Sequence, residues 1–574
     1  MLKKLGLQLV LVLIGALFFS AHAQTTTVGT ISGTVRDEKG AVVPKAEVSI
    51  EGEGTGTSRE VKSDADGFYL AASLPPGRYT VSSAPRGFKK SVASAVDLHV
   101  GENKVVNLDL QVGQVSETVT ISSDTAPVET RSGEVSSLIS EKQVTELPLN
   151  GRNYAQLALM VPGVSPVTQA GAGGAFGTAG TGLDSHVDMS VNGNQSNANM
   201  WTVDGVNNMD VGSNATLLVF PSIDSIQEFR VERNSFSAQY GQAQGAVINL
   251  VTKGGSNEFH GGGFEFYRSD RLNSIDYFLA KANPPQPKAK LKYNNYGFNF
   301  SGPIKKNRIF FFWNEEWRRE QRGIVLSAKV PTAAERIGDF SGALTGPLPH
   351  DPITKLPFPG NIIPTANLSP EGLAIFKIFP LPNTTGSTNW ISSLLEPIKT
   401  RQDSIRGDIN ISKKMNLLVK YTNETWTHAN AAGNFWGDTP FPTLSSDWDQ
   451  PSHSFAVKLA TTLSSTAVNE FQFSRAGNDI KISTNKAGVA LNEEIGSKFP
   501  TVFPKAPGFG LALNWGGGGY PNLWHQAPWQ NHEDLFIWKD DFSKVSGPHD
   551  LKFGALVSHN IKNELSNNAS AVAA

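Results

Sequence analysis

A pair of aromatic strands at residues 291–319 constrains the fold more than any other part of the sequence. Tyr296, Phe298 and Phe300 alternate with small and polar residues, so a strand here has one aromatic face and one polar face. Both faces are tolerated where lipid lies outside and a wet lumen lies inside. A tight polar turn at 302–307 leads into the second aromatic strand. This pattern predicts a hairpin of an outer-membrane β-barrel.

The composition excludes several classes of function. A net charge of −2 over 574 residues gives no electrostatic footprint for nucleic acid. The absence of cysteine excludes disulfides, thiolate catalysis and cysteine-based metal sites. Charged residues make up 18% of the chain, below the roughly 25% typical of soluble domains. We predict no catalytic residue, no metal site and no cofactor.

Residues 1–23 predict a cleaved secretory signal peptide. Lys3 and Lys4 precede an apolar run at 5–19, and the sequence Ala-His-Ala at 21–23 offers a cleavage site. The alternative is an N-terminal membrane anchor, which would need about 20 apolar residues, and this run is shorter. No later stretch reaches that length, so a mature membrane protein would cross the bilayer with strands.

Short strands separated by regular turns predict a β-sandwich over residues 24–113. The motifs at 66–69 (Asp-Gly-Phe-Tyr) and 74–79 (Leu-Pro-Pro-Gly-Arg-Tyr) resemble the carboxypeptidase regulatory-like domain, a non-catalytic module despite its name. Asp64 begins a sequence similar to a calcium loop, but Pro75 stands where that loop needs its last carboxylate. We therefore predict a hairpin turn at Asp64.

A polar, extended linker is predicted over residues 114–125. It contains five residues, free of proline and glycine, that could add as a strand to the edge of a partner's sheet. They resemble the TonB box of TonB-dependent receptors, the element gripped by an energy-transducing TonB-type protein. These residues are Glu117, Thr118, Val119, Thr120 and Ile121. The alternatives are the last strand of the sandwich and a plain linker.

A mixed α/β body is predicted over residues 126–255. Its predicted helices cover 136–143 and 154–160, and a loop rich in glycine and alanine covers 169–183. Its predicted strands cover 186–191, 201–203, 228–232 and 246–252.

The C-terminal part of this body carries the most specific motif. A strand at 225–233, a Tyr-Gly turn at 240–241 and the sequence Ile-Asn-Leu-Val-Thr-Lys at 248–253 follow one another. This order resembles the end of the plug domain of TonB-dependent receptors, where the last strand runs into the barrel. Sequences at 147–153 and 203–206 resemble the Oar-like branch of that family, as does the order of signal, sandwich, plug and barrel.

Residues 256–574 predict the N-terminal part of an antiparallel transmembrane β-barrel. Short connections, as at 304–306 and 413–414, alternate with long ones, as at 320–400 and 476–533. Short periplasmic turns and long outer loops are typical of outer-membrane barrels, whereas a soluble β-sandwich has no reason to sort loop length. The predicted strands are 258–268, 291–303, 307–319, 401–412, 415–426, 453–463, 466–475, 534–545 and 549–560.

The predicted barrel is incomplete. A plugged barrel needs around 22 strands, and an open edge in lipid leaves backbone groups unpaired. The last residues, 568–574, lack the terminal aromatic strand that the barrel assembly machinery reads in this family. We therefore expect a fragment or a truncated product that is mainly β, with an N-terminal sandwich, an α/β plug and an incomplete barrel.

The resemblance implies an Oar-like TonB-dependent receptor, exported to a Gram-negative-type outer membrane and surrounded there by lipid. An extracellular ligand would bind the outer loops and the plug, and the TonB-type protein would pull the segment at 118–121. Siderophore, oligosaccharide and peptide ligands remain open. A second hypothesis is a surface or adhesion protein without transport. A zinc peptidase, suggested by the sandwich's family name, fails because His99 is the only histidine in that module.

Overall fold

The computed structural model shows a mainly β chain, which confirms the predicted fold class. We distinguish the sandwich (28–113 with 118–122), the inner body (133–167 with 186–255) and the wall (the described part of 256–565). The predicted signal peptide lies outside the described residues. The structure describes residues 28–113, 118–122, 133–167, 186–283, 286–342, 348–431, 441–464, 466–485, 515–517, 519–523, 529–546 and 549–565.

The sandwich contains nine described strands in two sheets. They are β1 (Gly29–Asp37), β2 (Glu47–Gly52), β3 (Ser58–Lys62), β4 (Phe68–Leu74), β5 (Gly77–Ser83), β6 (Lys90–Leu98), β7 (Asn103–Val105), β8 (Leu108–Leu110) and β9 (Thr118–Ser122). One sheet has the order β4-β1-β7 with β8 also on β1, and the other has the order β3-β2-β5-β6-β9. Alternate residues such as Ile31, Val48 and Val81 are fully buried in one core.

The turn predicted at Asp64 is confirmed. One oxygen of its carboxylate accepts the backbone N–H groups of Asp66 and Phe68, each at 2.9 Å. A side chain that bonds its own downstream backbone in this way stabilises a tight turn.

The inner body is built around a five-stranded sheet in the order β10-β15-β16-β13-β14, with β11 and β12 as a separate pair. The strands are β10 (Val135–Ile139), β11 (Val164–Pro166), β12 (Met189–Val191), β13 (Met200–Val203), β14 (Val206–Asn207), β15 (Ile226–Asn234) and β16 (Val247–Thr252). The helices are α1 (Glu141–Glu146) and the 3-10 helices Asn150–Arg152, Tyr154–Met160, Ser196–Ala198 and Ile223–Ser225. Tyr154, Trp201 and Phe229 are fully buried in its core.

The helix predicted at 136–143 is wrong in its first half. Residues there form β10, which pairs with β15. The helix begins only after Ser140, whose hydroxyl accepts the N–H of Gln143 while the Gln143 side chain accepts the N–H of Ser140. This capping box sets the helix start, and pairing with a strand distant in sequence decides the conformation before it.

The wall is an antiparallel sheet of ten described strands. The strands after the inner body are β17 (His260–Ser269), β18 (Leu291–Lys305), β19 (Ile309–Ala328), β20 (Trp390–Ser412), β21 (Met415–Ala431), β22 (Ser446–Asp449), β23 (Ser452–Ser464), β24 (Ala467–Thr484), β25 (Trp515–Gly517), β26 (Tyr520–Leu523), β27 (Trp529–Ser546) and β28 (His549–Leu565). The order is β17-β18-β19-β20-β21-β22-β24-β27-β28, with β23 between β21 and β24. Strands β25 and β26 form a separate pair.

Each of the nine predicted wall strands is present, and several extend further into the long connections. Strands β19 and β20 stay paired from Ile309 opposite Ile409 to Ala328 opposite Trp390. The connection between them packs on its own apolar cluster, which includes Ile378, and the cluster is joined by Phe441. The loop helices are α2 (Tyr277–Lys281), α3 (Pro370–Phe376) and the 3-10 helices Asp270–Leu272, Glu335–Ile337, Pro359–Asn361, Thr365–Asn367 and Pro442–Leu444.

The wall has two chemically different faces, as the hairpin at 291–319 predicted. Tyr296 and Trp317 stack on the outer face with ring centroids 5.5 Å apart. Asn295 and Ser301 are buried on the opposite face. None of the helices among the described residues has the length and apolar character to cross a membrane.

Candidate functional site

The inner body lies against the polar face of the wall, and Asp204 makes a buried ionic contact between them. This residue lies in the two-residue turn between β13 and β14, where Asp204 and Gly205 both have positive φ (52° and 85°). Asp-Gly is the sequence that favours such a hairpin turn. The turn directs the Asp204 carboxylate towards β20 and β21 of the wall.

The Asp204 carboxylate is paired with two wall cations and with its own body. Lys420 Nζ lies 2.7 Å from one oxygen, and Arg406 Nη1 lies 3.6 Å from the other. Thr252 donates its N–H (3.0 Å) and its hydroxyl (2.7 Å) to the same carboxylate. Burial by itself would raise the pKa of Asp204, but the two cations and these donors outweigh it and hold the pKa well below its usual value. Asp204 is therefore an anion held between the two bodies.

A second ionic contact lies at β27 and β28. Lys562 Nζ is 2.9 Å from Asp210 of the inner body and 3.2 Å from Glu533 of the wall. The N–H of Val211 donates to the other oxygen of Glu533 at 2.8 Å. One cation thus bridges carboxylates from both bodies.

A third contact is made by Gln402 of β20. Its side-chain oxygen accepts the N–H of Ser222 at 2.8 Å, and its amide donates to the carbonyl of Phe220 at 2.6 Å. The Ser222 hydroxyl also donates to Glu316 of β19. The loop at 220–222 is therefore held by polar groups of two wall strands.

These contacts between the inner body and the wall are ionic and hydrogen-bonded, and the two bodies also share a small apolar cluster formed by Val206, Leu218, Ala456, Ala476 and Leu535. Ion pairs and hydrogen bonds can be exchanged for bonds to water when two bodies separate, whereas separating an apolar cluster exposes its surface to water at a cost. Among the described residues, no group of three or more His, Asp or Glu side chains could hold a metal ion. The arrangement supports reversible separation of the inner body from the wall.

The sandwich attaches to strand β15 of the inner-body sheet. His99 Nδ1 lies 2.8 Å from Glu228 of β15, and the N–H of Val100 donates to the second oxygen of Glu228 at 2.6 Å. Arg230 donates to the carbonyl of Gly101 at 3.0 Å. The hydrogen bond to Glu228 raises the pKa of His99, although partial burial opposes this.

The segment predicted to be a TonB box lies at a sheet edge of the sandwich. Thr118 to Ile121 belong to β9, which pairs in parallel with β6 from Lys90 opposite Thr118 to Ser94 opposite Ser122. Glu117 lies outside the described residues. The TonB-box assignment stays a prediction.

The sequence did not single out the residues that join the inner body to the wall. In the sequence, Asp204 lies within the motif at 203–206, and Lys420 lies within the predicted strand 415–426. A charged residue on an inward face needs a partner, so Lys420 and Arg406 were the available signal. Their common partner is distant in sequence and could not be assigned without the tertiary structure.

Comparisons with known proteins agree with this architecture. Residues 251–573 match the family described as outer membrane beta barrel domain, and residues 30–111 match the carboxypeptidase regulatory-like domain. The TonB-dependent transporter Oar of Myxococcus xanthus is 27% identical over 322 residues, which is 53% of this chain and 28% of Oar. A probable TonB-dependent siderophore receptor PirA of Acinetobacter baumannii is 30% identical over 128 residues, 21% of this chain and 15% of PirA.

Two solved structures also match parts of this chain. The Escherichia coli outer membrane transporter YddB matches with a TM-score of 0.45 at 12% identity, over 75% of this chain and 52% of YddB. The A. baumannii siderophore receptor PirA matches with a TM-score of 0.41 at 14% identity, over 73% and 47%. The chain thus spans about half the length of these structures and 28% of Oar. Because the barrel family covers more than half of the chain, the chain belongs to the outer membrane β-barrel domain family, and in sequence it is Oar-like.

Proposed function

We propose that the chain is the plug-bearing part of a TonB-dependent outer-membrane transporter for energised uptake of a large ligand. The observation that carries this proposal is the ionic contact of Asp204 with Lys420 and Arg406. It holds the inner body against the wall with groups that water can satisfy after separation. In this proposal the inner body is the plug, and its withdrawal opens the path.

The proposal divides the chain into five parts. Residues 1–23 are a signal peptide, 24–113 the sandwich, 114–125 a linker with the TonB box, 126–255 the plug and 256–574 the first part of the barrel. The barrel assembly machinery would insert the wall with its aromatic face in outer-membrane lipid. The second hypothesis, adhesion without transport, would give the inner body no role.

The force would enter through the edge strand β9. Thr118 to Ile121 pair with β6 on one side, and a parallel pair is slightly less stable than an antiparallel one. A TonB-type protein could take this segment as a strand of its own sheet. The names of Oar and PirA as TonB-dependent proteins support this partner.

Three classes of ligand are compatible with the proposal. The name of PirA as a siderophore receptor supports a siderophore. The aromatic and amide side chains of the outer loops suit an oligosaccharide or a peptide. All three are retained in the proposal.

Site-specific photo-crosslinking tests the partner. A photoreactive residue at position 119, in cells that carry the full-length gene, should form an adduct with the TonB-type protein. The same residue at Lys39, in an exposed turn of the sandwich, should form none. If position 119 gives no adduct while the protein reaches the outer membrane, the TonB-box assignment is wrong.

A further inference from the structure

The hairpin between β2 and β3 of the sandwich reaches the end of the wall where the connections are short. We call residues 52–60 the rim hairpin. The carbonyl of Gly54 accepts the N–H of Asn257 at 2.7 Å, just before β17. The carbonyl of Thr55 accepts the side-chain amide of Asn410 of β20 at 3.2 Å. The rim hairpin therefore contacts the wall at strands that are not neighbours in the sheet.

A further residue of the rim hairpin extends this contact along the rim. Glu60 lies 3.6 Å from Lys413 Nζ in the turn between β20 and β21. The neighbouring Arg59 is 5% exposed and lies on the opposite face of β3, which it shares with Val61 of the sandwich core. The charge of Glu470 of β24 also acts on Arg59.

The turn of the rim hairpin is shaped for this contact. Gly54 and Gly56 have φ of 82° and 64°, which favours glycine at both positions. A Cβ on Gly56 would lie 2.6 Å from the side-chain oxygen of Asn307, in the turn between β18 and β19. The hairpin thus approaches the wall more closely than a side chain would allow.

The sandwich is attached to the inner body as well as to the wall. Glu228 and Arg230 of β15 hold residues 99–101 through three hydrogen bonds. Between the two attachments lies a cavity of about 500 Å³, bounded by the rim hairpin, the end of β16 and the wall. The sandwich therefore bridges the inner body and the wall across an open space.

We propose that the sandwich holds the inner body in the wall through two contacts, one of the rim hairpin with the wall and one of residues 99–101 with the inner body. We call the sandwich with these two contacts the bolt. This inference rests on the proposed function. Strand β9, on which the TonB-type protein would pull, is the edge strand of the sheet that also contains β2 and β3. Pulling β9 would act on the bolt before it acts on the inner body, so release of the sandwich precedes release of the plug.

A disulfide that fixes the rim hairpin tests the bolt. The chain has no cysteine, so introduced cysteines are the only thiols. A Cβ on Gly54 would lie 3.8 Å from the Cβ of Ser256, close to the roughly 3.8 Å typical of a disulfide. The test variant is Gly54→Cys with Ser256→Cys. The matched control is Glu47→Cys with Lys62→Cys, which joins β2 to β3 within the sandwich.

The readout is hydrogen exchange of the β16 amides in moderate urea, with the full chain in lipid nanodiscs. In the test variant, oxidation should slow exchange of these amides at least ten-fold relative to the reduced protein, whereas oxidation of the control should leave it unchanged. Adding Glu228→Gln and Arg230→Ala to the test variant should abolish the effect, because the bolt then no longer reaches the inner body.

Two results would overturn the bolt. One is equal exchange in the oxidised and reduced test variant although gels show the disulfide. The other is failure of both the disulfide and a short bis-maleimide bridge between Glu60→Cys and Lys413→Cys to form in the folded protein, because the rim hairpin is then not at the wall. The exchange measurement needs neither ligand nor TonB-type protein, so it can fail or succeed independently of the crosslink from position 119.

Discussion

The inner body and the sandwich both attach to the wall, but they use different groups. The inner body presents a side-chain carboxylate, and Asp204 and Lys420 are only 4% and 8% exposed. The sandwich presents backbone carbonyls at Gly54 and Thr55, with an ion pair at Glu60 that is largely exposed. The contact of the inner body with the wall is charged and excluded from solvent, whereas the contact of the sandwich with the wall is mostly uncharged and open to solvent.

This difference sets how strongly each attachment depends on a single charged side chain. Removing one partner of a buried ion pair leaves an uncompensated charge and costs about 3–5 kcal/mol, whereas an exposed pair contributes about 0–1 kcal/mol. Loss of one charged side chain should therefore weaken the contact of the inner body with the wall far more than the contact of the sandwich with the wall. In the bolt proposal, a pull on the sandwich releases its own, more exposed contact while the inner body is still in place.

The largest expected effect comes from Asp204→Ala. It leaves Lys420 and Arg406 near each other without their shared anion, so we expect the free energy of unfolding of the inner body to fall by about 3–5 kcal/mol. Hydrogen exchange of β13 and β16 across a urea series measures it. Asp97→Asn, which breaks an exposed pair with Arg78 in the sandwich, is the control and should change little. A loss below 1 kcal/mol for Asp204→Ala would remove the contrast between the two attachments.

The next effect concerns the junction of the inner body and the wall. A Cβ on Gly255 would lie 2.5 Å from the carbonyl of Phe311, which belongs to a paired strand and cannot move away. Gly255→Ala should therefore destabilise the chain by about 1–3 kcal/mol, measured by thermal unfolding. Gly254→Ala is the matched control, because its nearest neighbour is the side chain of Asp408 at 2.9 Å. Equal losses of stability in both variants would show that the backbone at the junction shifts to accommodate a Cβ at position 255.

A smaller effect is expected from pH at the contact of the sandwich with the inner body. The pKa of His99 is raised by the hydrogen bond to Glu228, with Glu102 and Asp97 acting in the same direction. Protonated His99 thus strengthens the contact at low pH, and this contribution is lost as pH rises through the raised pKa. The N–H of Val100, bonded to Glu228, should show several-fold higher exchange protection at pH 5.5 than at pH 8.5, after correction for intrinsic exchange.

The control for this pH effect is Glu228→Gln, which removes the charge that faces His99. The protection of Val100 should then hardly depend on pH. If the protection of the Val100 amide still depends on pH in this variant, that dependence comes from groups other than the pair of His99 and Glu228.

The smallest effect is expected at Glu60. The side chains of Glu60 and Lys413 are 71% and 80% exposed, so solvent screens their attraction. Glu60→Gln should leave the stability of the sandwich contact unchanged within experimental error, in urea unfolding at low and at high salt. A clear loss at low salt would show that the rim attachment is more electrostatic than its exposure indicates.

Much of the architecture could be predicted from local patterns. Alternation at Tyr296, Phe298 and Phe300 predicted a two-faced strand, because the period of side chains along a strand is local. The sorting of connections into short and long predicted that the wall is an antiparallel barrel sheet rather than a soluble sandwich. The turn at Asp64 was predictable for the same reason, since its bonds stay within a few residues.

Local patterns specify most of the strands and their two faces, because these depend on neighbours in the chain, and the motifs carry the family resemblance. Contacts between distant residues make 135–139 a strand, bring Asp204 to Lys420 across 216 positions and place 118–121 beside β6. Such contacts also bring the rim hairpin to the wall. Each of these depends on the chemistry of a partner that is distant in sequence, and no local period records where that partner lies.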